Sequence, residues 1–301
     1  MKKRVFVIGG AALDITGIPK SICRLRDSNP GTVRLAVGGV ARNVAAHLAP
    51  YGPEVQLVTA LGNDVRAAVI EGDCAERGIH LDHTLHLEAA TAAFLCLLDE
   101  DLDLLSGIND MAIMDGLTPE FFEALLPELN RGDLCVIDAN LTPESLEYLT
   151  HTLTVPIYYE PVSCYKARRI GDNIGLCHTV KPNRFEAAQL SGCSCDTVRG
   201  VYRAADWFLQ QGVQQVFISL GSDGIVYANH DVCGHINAET LAVVDTSGAG
   251  DVMSAAIVSA MLDGHATPAI MRAACIVPPR LPAVRPASER PPNVVRRKEF
   301  S

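Results

Sequence analysis

The sequence lacks an apolar run of the ~18 residues that a membrane-spanning helix needs, and it also lacks an excess of positive charge. Its formal net charge is −10, which argues against nucleic acid or an anionic membrane surface as the main partner. A small nucleotide held by local backbone donors remains compatible with that charge. We therefore expect a protein that acts on a small molecule, with no nucleic-acid partner and no membrane partner.

The ten cysteines lack the spacing of a metal site or of a redox motif. No C-x-x-C pair is present, and no histidine spacing typical of zinc accompanies the cysteines. Cys193 and Cys195 are close in sequence, but chance explains that pair more simply than metal binding does. Unpatterned thiols are typical of a reducing compartment, so we expect a cytoplasmic location.

With 301 residues, 48% of them hydrophobic, the chain is long enough to bury one large core. Basic residues precede an apolar run at the start, but Gly9, Gly10 and Asp14 interrupt it. We therefore expect a buried first strand over Arg4–Ile8 rather than a signal peptide. From about residue 134, short apolar runs alternate with amphipathic segments, which predicts βα units and a mainly parallel sheet flanked by helices.

Polar residues follow several of the predicted strands, at Asp138, at Glu160 and over 181–186. Each of them is explained by helix capping alone, but together at one sheet edge they favour a binding site. Two further apolar runs, 92–98 and 102–108, flank a polar tip and predict a β-hairpin. With residues 15–35, this hairpin is expected to form a small separate sheet.

The β-branched pair at 243–244 predicts the end of a strand, and the apolar segment after Asp251 predicts a helix. Small residues from Thr246 to Asp251 join the two. The amides of Gly248, Ala249, Gly250 and Asp251 would be the unpaired donors of a first helical turn, where the helix dipole favours an anion. Asp251 would lie beside the bound anion, which is reasonable if it accepts a proton from an attacking alcohol. The alternative is that Asp251 and Thr246 only cap the helix. The stretch is neither a P-loop nor a G-x-G-x-x-G dinucleotide motif.

The string from Asp245 to Asp251 resembles the C-terminal signature of the ribokinase-like, PfkB-type sugar and nucleoside kinases. The resemblance implies a three-layer α/β fold over 1–277, with a β-sheet lid built from about 14–36 and 90–110. It also implies ATP and Mg²⁺, a catalytic base at Asp251 and an anion hole at the amides of 248–250. A homodimer contact through the lid is a further implication.

The acceptor side is implied by matches near the N-terminus, where Gly38 and Gly39 open an Ala-rich helix. Asp14 is either a turn former or, by the resemblance, a ligand of sugar hydroxyls. Arg42 is given less weight as a binding residue, because it is interpreted as a charge on a solvated helix face. Several short sequence segments resemble a nucleoside-specific subgroup of the family more than they resemble the ribose or fructose kinases. At one position the match fails, because this chain has Ala12 where the subgroup commonly has Asn. The implied substrate-binding residues are Asp14, Gly39, Asn43, Asn109, Lys166 and Asp251.

The nucleotide side is implied by Lys181-Pro182-Asn183 and Glu186, which match a pattern that organises magnesium and phosphates, with Glu160 as a second acidic group. The glycine turn at 221–224 is an ordinary hairpin entrance or, by the resemblance, lies along the phosphates. Glu186 is expected to hold Mg²⁺ through water, and Asp245 is the candidate ligand for a monovalent cation such as K⁺. The implied nucleotide-binding residues are Asn183, Ser219, Gly221, Gly224, Thr246, Gly248 and Gly250.

The end of the chain departs from the family pattern. Six prolines lie between 278 and 292, and five arginines lie between 280 and 297. Because proline blocks helix continuation, we expect an extended or disordered tail over 278–301, an open adenine pocket and an incomplete cation site. A frameshift would produce such a change.

The reaction implied is direct in-line phosphoryl transfer from ATP to the 5'-hydroxyl of a nucleoside. Three alternatives remain from the sequence. One is another kinase of the same fold, acting on ribose, a ketohexose or adenosine. A second is a nucleoside-binding protein whose catalysis is impaired by the altered tail. An NAD-dependent oxidoreductase is disfavoured because the expected glycine spacing does not follow the first strand.

Overall fold

A mixed sheet forms the middle layer of the protein, and helices pack on both of its faces. The computed structural model describes residues 2–236, 248–267 and 270. The strands are β1 (Arg4–Ile8), β2 (Ala12–Pro19), β3 (Gly31–Gly38), β4 (Glu54–Val58), β5 (Ala60–Gly62), β6 (Leu85–Leu87), β7 (Ala93–Leu98), β8 (Leu104–Asp110), β9 (Leu134–Asp138), β10 (Ile157–Glu160), β11 (Thr179–Val180), β12 (Gln215–Ser219), β13 (Ile225–Asn229) and β14 (Cys233–Ile236).

The helices alternate with these strands along the second half of the chain, as the sequence predicts. None of the described helices is long and apolar enough to cross a membrane. The α-helices are α1 (Val40–Leu48), α2 (Val65–Glu76), α3 (Pro119–Leu129), α4 (Pro143–Thr152), α5 (Cys164–Ala167), α6 (Arg184–Ser191), α7 (Val198–Gln211) and α8 (Ala249–Leu262).

Within the described ranges, the large sheet has eight strands in the order β14-β13-β12-β11-β10-β9-β1-β4. The pairs from β12 to β4 are parallel, whereas β13 and β14 return antiparallel at one edge. This arrangement confirms the predicted mainly parallel sheet. Because parallel strands end at one edge, it also brings the residues after β1, β9, β10, β11 and β12 together.

The buried strand β1 shows why helices are needed on both faces. Val5 and Val7 belong to the core formed with α1, α2 and α8, while Phe6 and Ile8 belong to the core formed with α3, α4 and α7. Alternate strand residues point to opposite faces. A strand buried on both sides is therefore apolar throughout rather than alternating.

The predicted small sheet is present, with the strand order β3-β2-β7-β8. Its register places Asp14 opposite Phe94, and Phe94 opposite Asn109. Directly paired residues share a face, so these three side chains form a row on one face. Ile15 and its neighbours across the sheet form the row on the opposite face.

Several local predictions differ from the structure. The apolar run 56–61 alone predicts one strand, but it divides into β4 and β5, and β5 pairs with β6 in a separate two-stranded sheet. The sequence over 163–170 predicts one helix, but α5 ends at Ala167, and 3₁₀ turns follow over Arg168–Leu176 with a kink at Gly171, where φ is 54°. Helix α3, capped by Thr118, is absent from the sequence prediction. Trp207, which its amphipathic helix predicts to lie in the core, is partly buried at the margin of the core.

Some sequence predictions fall outside the described residues. These are the strand at 243–244, the roles of Asp245 and Thr246, and the tail over 278–301.

Candidate active site

Two helix N-termini meet at the carboxyl edge of the large sheet, and they bring the predicted base into contact with a predicted substrate ligand. Asn43 lies in the first turn of α1, and Asp251 lies in the first turn of α8. The Asn43 side-chain amide donates to Asp251 Oδ2 at 2.9 Å, across 208 positions of sequence. The resemblance implied a role for each residue, and the structure places the two side by side.

The start of α8, from its N-cap Gly248, has backbone features expected of an anion-binding turn. Gly248 is the N-cap of α8, with a left-handed backbone at φ 82° that a residue with a Cβ rarely adopts. Within the described part of the chain, the amides of Ala249 and Gly250 have no hydrogen-bond partner. The Asp251 amide differs from the expectation, because it donates to the Gly248 carbonyl at 3.0 Å.

The environment of Asp251 suits a proton acceptor. Burial raises the pKa of Asp251 to about 6, and this rise is opposed by the Asn43 hydrogen bond and by the Lys181 ammonium. Asp138 raises that pKa further, and Arg42 lowers it. The carboxyl group is therefore mostly ionised at neutral pH and is more basic than an exposed aspartate.

Asp14 lies close to the glycine pair that opens α1. A side chain at Gly38 would overlap the Asp14 carboxylate, and one at Gly39 would overlap the Gly10 carbonyl. Gly39 also has a φ of 93°. Burial raises the pKa of Asp14 to about 6, against the lowering effect of the nearby Arg42. The glycines thus allow the small sheet, the first loop and α1 to pack closely.

The small sheet contributes an aromatic ring that sequence analysis missed. Phe94 lies between Asp14 and Asn109 in the row across the small sheet. A Cβ at Gly107 would lie 3.1 Å from the Phe94 ring, so the ring extends over β8. Asn109 is exposed on the same face. This row presents a carboxylate, an aromatic ring and an amide to one side.

Asp138, at the end of β9, connects the first loop, α1 and the predicted Lys166. Its carboxylate accepts from the amides of Gly10 at 2.9 Å, Ala41 at 3.0 Å and Asn140 at 2.8 Å. The Asn140 side chain also donates to it and accepts from Lys166 Nζ at 2.5 Å. Lys166 is carried by α5, which follows a turn in which Val162 has a strained φ of 67°. Asp138 therefore holds several parts of the site in register.

The nucleotide-side residues form a second group along the same edge. Asn183, beyond the end of β11, is the bridge partner of Ser219, the last residue of β12. Glu186 Oε2 accepts from the Asn183 amide at 2.8 Å, while Asn183 Oδ1 accepts from the Glu186 amide at 2.9 Å. This is a capping box for α6. Arg184 donates to the Leu220 carbonyl at 2.9 Å and so ties α6 to the glycine turn from Gly221 to Gly224.

The capping box limits what Glu186 offers a metal. One carboxylate oxygen is engaged by the Asn183 amide, which leaves the other for a metal-bound water. Among the described residues, no group of three or more His, Cys, Asp or Glu side chains is arranged to hold a metal ion. A single carboxylate near phosphate oxygens and water fits Mg²⁺, which is seldom enclosed by protein ligands alone.

Lys181 is a buried cation beneath the loop before α8, and the predicted list of site residues omits it. Its ammonium lies 3.3 Å from Glu160 Oε1, and it would lie 3.6 Å from a Cβ placed on Gly250. Ser254 also donates to Glu160 Oε1. Burial raises the pKa of Glu160, and the Lys181 ammonium opposes that rise. Glu160, expected near magnesium, is thus engaged with Lys181 and Ser254.

The site residues that the sequence predictions left without a role of their own share one property. Arg42, Phe94, Asp138, Asn140 and Lys181 act through partners distant in sequence. For Asp138, Asn140 and Lys181, the sequence does show a polar residue directly after a predicted strand. No local pattern marks Phe94, which stands in an ordinary strand.

Comparison with known proteins places this geometry in a family. The model of the pfkB family carbohydrate kinases matches residues 2–277. The chain is 33% identical over 268 residues to the pseudouridine kinase of Escherichia coli (strain K12), covering 87% of this chain and 85% of that protein. It is 28% identical over 243 residues to a pseudouridine kinase of Arabidopsis thaliana, covering 72% and 63%.

A solved ribokinase from Thermotoga maritima matches with a TM-score of 0.77 at 20% identity, and the match covers 91% of each chain. At that identity, the likeness concerns the fold. It confirms the ribokinase-like architecture that the sequence resemblance implies.

The Glu160 network predicts a stability effect. Replacing Glu160 with Ala removes the acceptor of both Lys181 and Ser254, leaving a buried cation without its closest partner. We expect a loss of about 3 kcal/mol or more in the free energy of unfolding, measured by urea denaturation. Glu147→Ala, at an exposed position of α4, should change it by only about 0.5 kcal/mol. A loss at Glu160 no larger than at Glu147 would contradict the pairing.

Proposed function

The chain belongs to the pfkB family of carbohydrate kinases, and we propose that it transfers the γ-phosphoryl group of ATP to the 5'-hydroxyl of pseudouridine. Membership makes the chain an ATP-dependent kinase that phosphorylates a hydroxyl group of a nucleoside or sugar. The proposal adds the substrate, the site residues and the mechanism. Similarity to two pseudouridine kinases supports this choice of substrate.

The observation that carries the proposal is the 2.9 Å hydrogen bond between Asn43 and Asp251. A residue expected to hold the acceptor thereby contacts the residue expected to activate it. A hydroxyl bound near Asn43 would lie within reach of the Asp251 carboxylate. Proximity of this kind converts a bimolecular encounter into an oriented one.

In the proposed reaction, Asp251 accepts the proton of the 5'-hydroxyl while that oxygen attacks the γ-phosphorus. The bond from the γ-phosphorus to the bridging oxygen breaks, and ADP leaves with the electron pair. The proton remains on Asp251 until it passes to solvent. A pKa of about 6 for Asp251 suits this role, since the base is ionised at neutral pH yet basic enough to take the proton.

Charge on the transferred group would be balanced by the loop before α8. The Ala249 and Gly250 amides point from a helix N-terminus, where the dipole favours an anion. Donors already in place before the reaction are typically worth ~3 kcal/mol of barrier each. Lys181 lies behind Gly250 and adds positive potential without needing to touch the phosphate.

The nucleotide would bind along the second group, with Asn183, Ser219 and the turn from Gly221 to Gly224 beside its phosphates. The family implies ATP and a divalent metal; we propose Mg²⁺, which when bound would neutralise phosphate charge and polarise the γ-phosphorus. Glu186 would hold it through water, with its free carboxylate oxygen. The proposal also includes Thr246 as a nucleotide-binding residue and Asp245 as a ligand of K⁺. Both residues lie outside the described part of the chain.

The lid would close over the acceptor. Asp14 and Asn109 would meet sugar or base hydrogen-bonding groups, and Lys166 would approach from α5. The Phe94 ring, between the two polar side chains, offers a face on which a base could stack. Exclusion of water by the lid would favour transfer to the nucleoside over hydrolysis of ATP.

The base assignment is tested by Asp251→Asn. The amide keeps the shape of the side chain but takes no proton, so we expect turnover to fall by about a hundredfold or more, while calorimetry still detects pseudouridine binding. Asp263→Asn, at the C-terminal end of the same helix, should leave turnover unchanged. Near-normal turnover of Asp251→Asn would remove Asp251 from the role of base.

The substrate assignment is tested by ADP release from MgATP, in the presence of K⁺, with pseudouridine, uridine, adenosine and ribose in parallel. We expect turnover with pseudouridine alone, because the similarity favours that substrate. A preference for ribose or adenosine would contradict it. If none of the four compounds supports ADP release, but pseudouridine raises the melting temperature, the chain is instead a nucleoside-binding protein.

The outer face of the lid suggests homodimer formation. Leu35, Ile15, Leu95 and Ile108 form one row across its four strands, and Ile108 is 64% exposed. Exposed apolar rows of this kind are commonly covered by a partner. We propose that a second copy covers this one.

Ile108→Asp should therefore weaken the dimer in analytical ultracentrifugation, because it places a charge in the apolar row. Val65→Asp, at an apolar position of α2 that is 80% exposed, is the control and should not affect association. A wild-type chain that sediments as a monomer at all concentrations would contradict the dimer.

A further inference from the structure

Arg42 occupies a position that the sequence interpretation misjudged. It was expected to be a charge on a solvated helix face, but its side chain is 8% exposed. Its guanidinium contacts three separate elements: the Val37 carbonyl in β3 at 2.8 Å, Asn43 Oδ1 in α1 at 2.9 Å, and the Asp73 carboxylate in α2. Arg42 therefore connects the lid strand to the helices behind the acceptor site.

The contact between Arg42 and Asn43 determines how the Asn43 amide is turned. A guanidinium only donates, so the atom that faces it must be the Asn43 oxygen. The amide nitrogen is then directed the other way, where it donates to Asp251 Oδ2. The ionised Asp251 carboxylate only accepts, so it selects the same orientation, and Arg42 holds the amide in that orientation from the opposite side.

The same guanidinium influences both carboxylates of the acceptor site. Its charge lowers the pKa of Asp14 and of Asp251, in each case against the effect of burial. It also holds the last part of β3, which leads directly into the Gly38 and Gly39 turn. Asp14, the turn and Asn43 thus share one cationic neighbour.

A role in stability alone explains these contacts poorly. Asp73 already has a second cation, since Arg77 Nε donates to its carboxylate at 3.0 Å. Arg42 also leaves its buried Nε without a hydrogen-bond partner among the described residues. A buried donor without a partner costs free energy. The contacts of Arg42 instead converge on the acceptor side of the site.

We propose that Arg42 is a positioning residue, which turns the Asn43 amide toward Asp251 and holds the end of lid strand β3 against the acceptor site. The inference rests on the proposed role of Asp251 as base. Arg42 touches neither substrate in this proposal; it acts through Asn43 and through the backbone of Val37.

The first test compares Arg42→Met with Arg77→Met. Both variants remove one cation from Asp73, but only the first removes the donor to Asn43. We expect kcat to fall at least about tenfold in Arg42→Met, because the base loses its oriented partner. Arg77→Met should stay within about twofold of the wild type. Equal losses in the two variants would overturn the proposal.

The pH dependence separates positioning from folding. Asp251 is faced by Lys181 from the end of β11, by Asp138 from β9, and by Arg42 and Asn43 from α1. Glu160 and Tyr158 face it from β10. Removing Arg42 takes away a cation and the orientation of a donor, and both changes raise the pKa of Asp251. The acidic limb of kcat/KM, near pH 6 in the wild type, should therefore move to higher pH in Arg42→Met. A lower melting temperature with an unmoved limb would overturn the proposal.

A double-mutant comparison tests whether Arg42 acts through Asn43. In an Asn43→Ala background there is no amide to orient, so Arg42→Met should reduce kcat much less than it does in the wild type. If the fold losses in kcat of the two single variants multiply fully in the double variant, action through Asn43 is contradicted. Arg42→Lys keeps the charge but lacks the planar fork, so it provides a second variant if Arg42→Met folds poorly. It should retain part of the charge effect but not the full kcat.

One readout requires no turnover. Titration of aspartate carboxyl carbons by NMR, assigned with Asp251→Asn, should show a higher pKa for Asp251 in Arg42→Met than in the wild type. An unchanged titration would overturn the inference. If the wild type does not phosphorylate pseudouridine, the proposed substrate is wrong. The kinetic comparison of the Arg42 variants is then made with whichever acceptor the wild type phosphorylates.

Discussion

The carboxylate of Asp138, buried at the end of β9, is the constraint on which the rest of the site depends. A buried carboxylate costs much free energy unless donors surround it. Here the donors are the amides of Gly10, Ala41 and Asn140 and the side chain of Asn140. Burial raises the pKa of Asp138, and these four hydrogen bonds oppose that rise. The carboxylate therefore holds the first loop and the start of α1 against the central strand.

The position of α1 then decides what its side chains can reach. With its start held by Asp138, the helix packs against α8 and brings Asn43 to Asp251. The Gly39 turn packs on Gly10, where no Cβ would fit. The acceptor side is thus assembled around backbone groups that a sheet edge fixes. The separate small sheet supplies Asp14, Phe94 and Asn109 from one of its faces.

Local patterns in the sequence were enough to predict the alternation of strands and helices, the separate small sheet and the glycine turn before α8. Each depends on neighbours in the chain: apolar periodicity, or glycines at a strand-helix junction. The burial of Arg42 was not predictable in this way, because it depends on Asp73 in another helix. Helix α3 was missed although Thr118 and Pro119 form an ordinary helix start. The row formed by Asp14, Phe94 and Asn109 required the register of three strands.

Local charge also explains how a chain of net charge −10 can suit a triphosphate. Three carboxylates, Glu160, Glu186 and Asp251, act on Lys181, and all three raise its pKa against the effect of burial. The ammonium therefore stays charged directly behind Gly250, and the α8 N-terminus adds its dipole from the front. These groups lie within a few ångströms of the loop, whereas surface charges more than about 10 Å away are screened by salt. The potential that a phosphate meets is thus set by Lys181 and the first turn of α8, not by the sum over the chain.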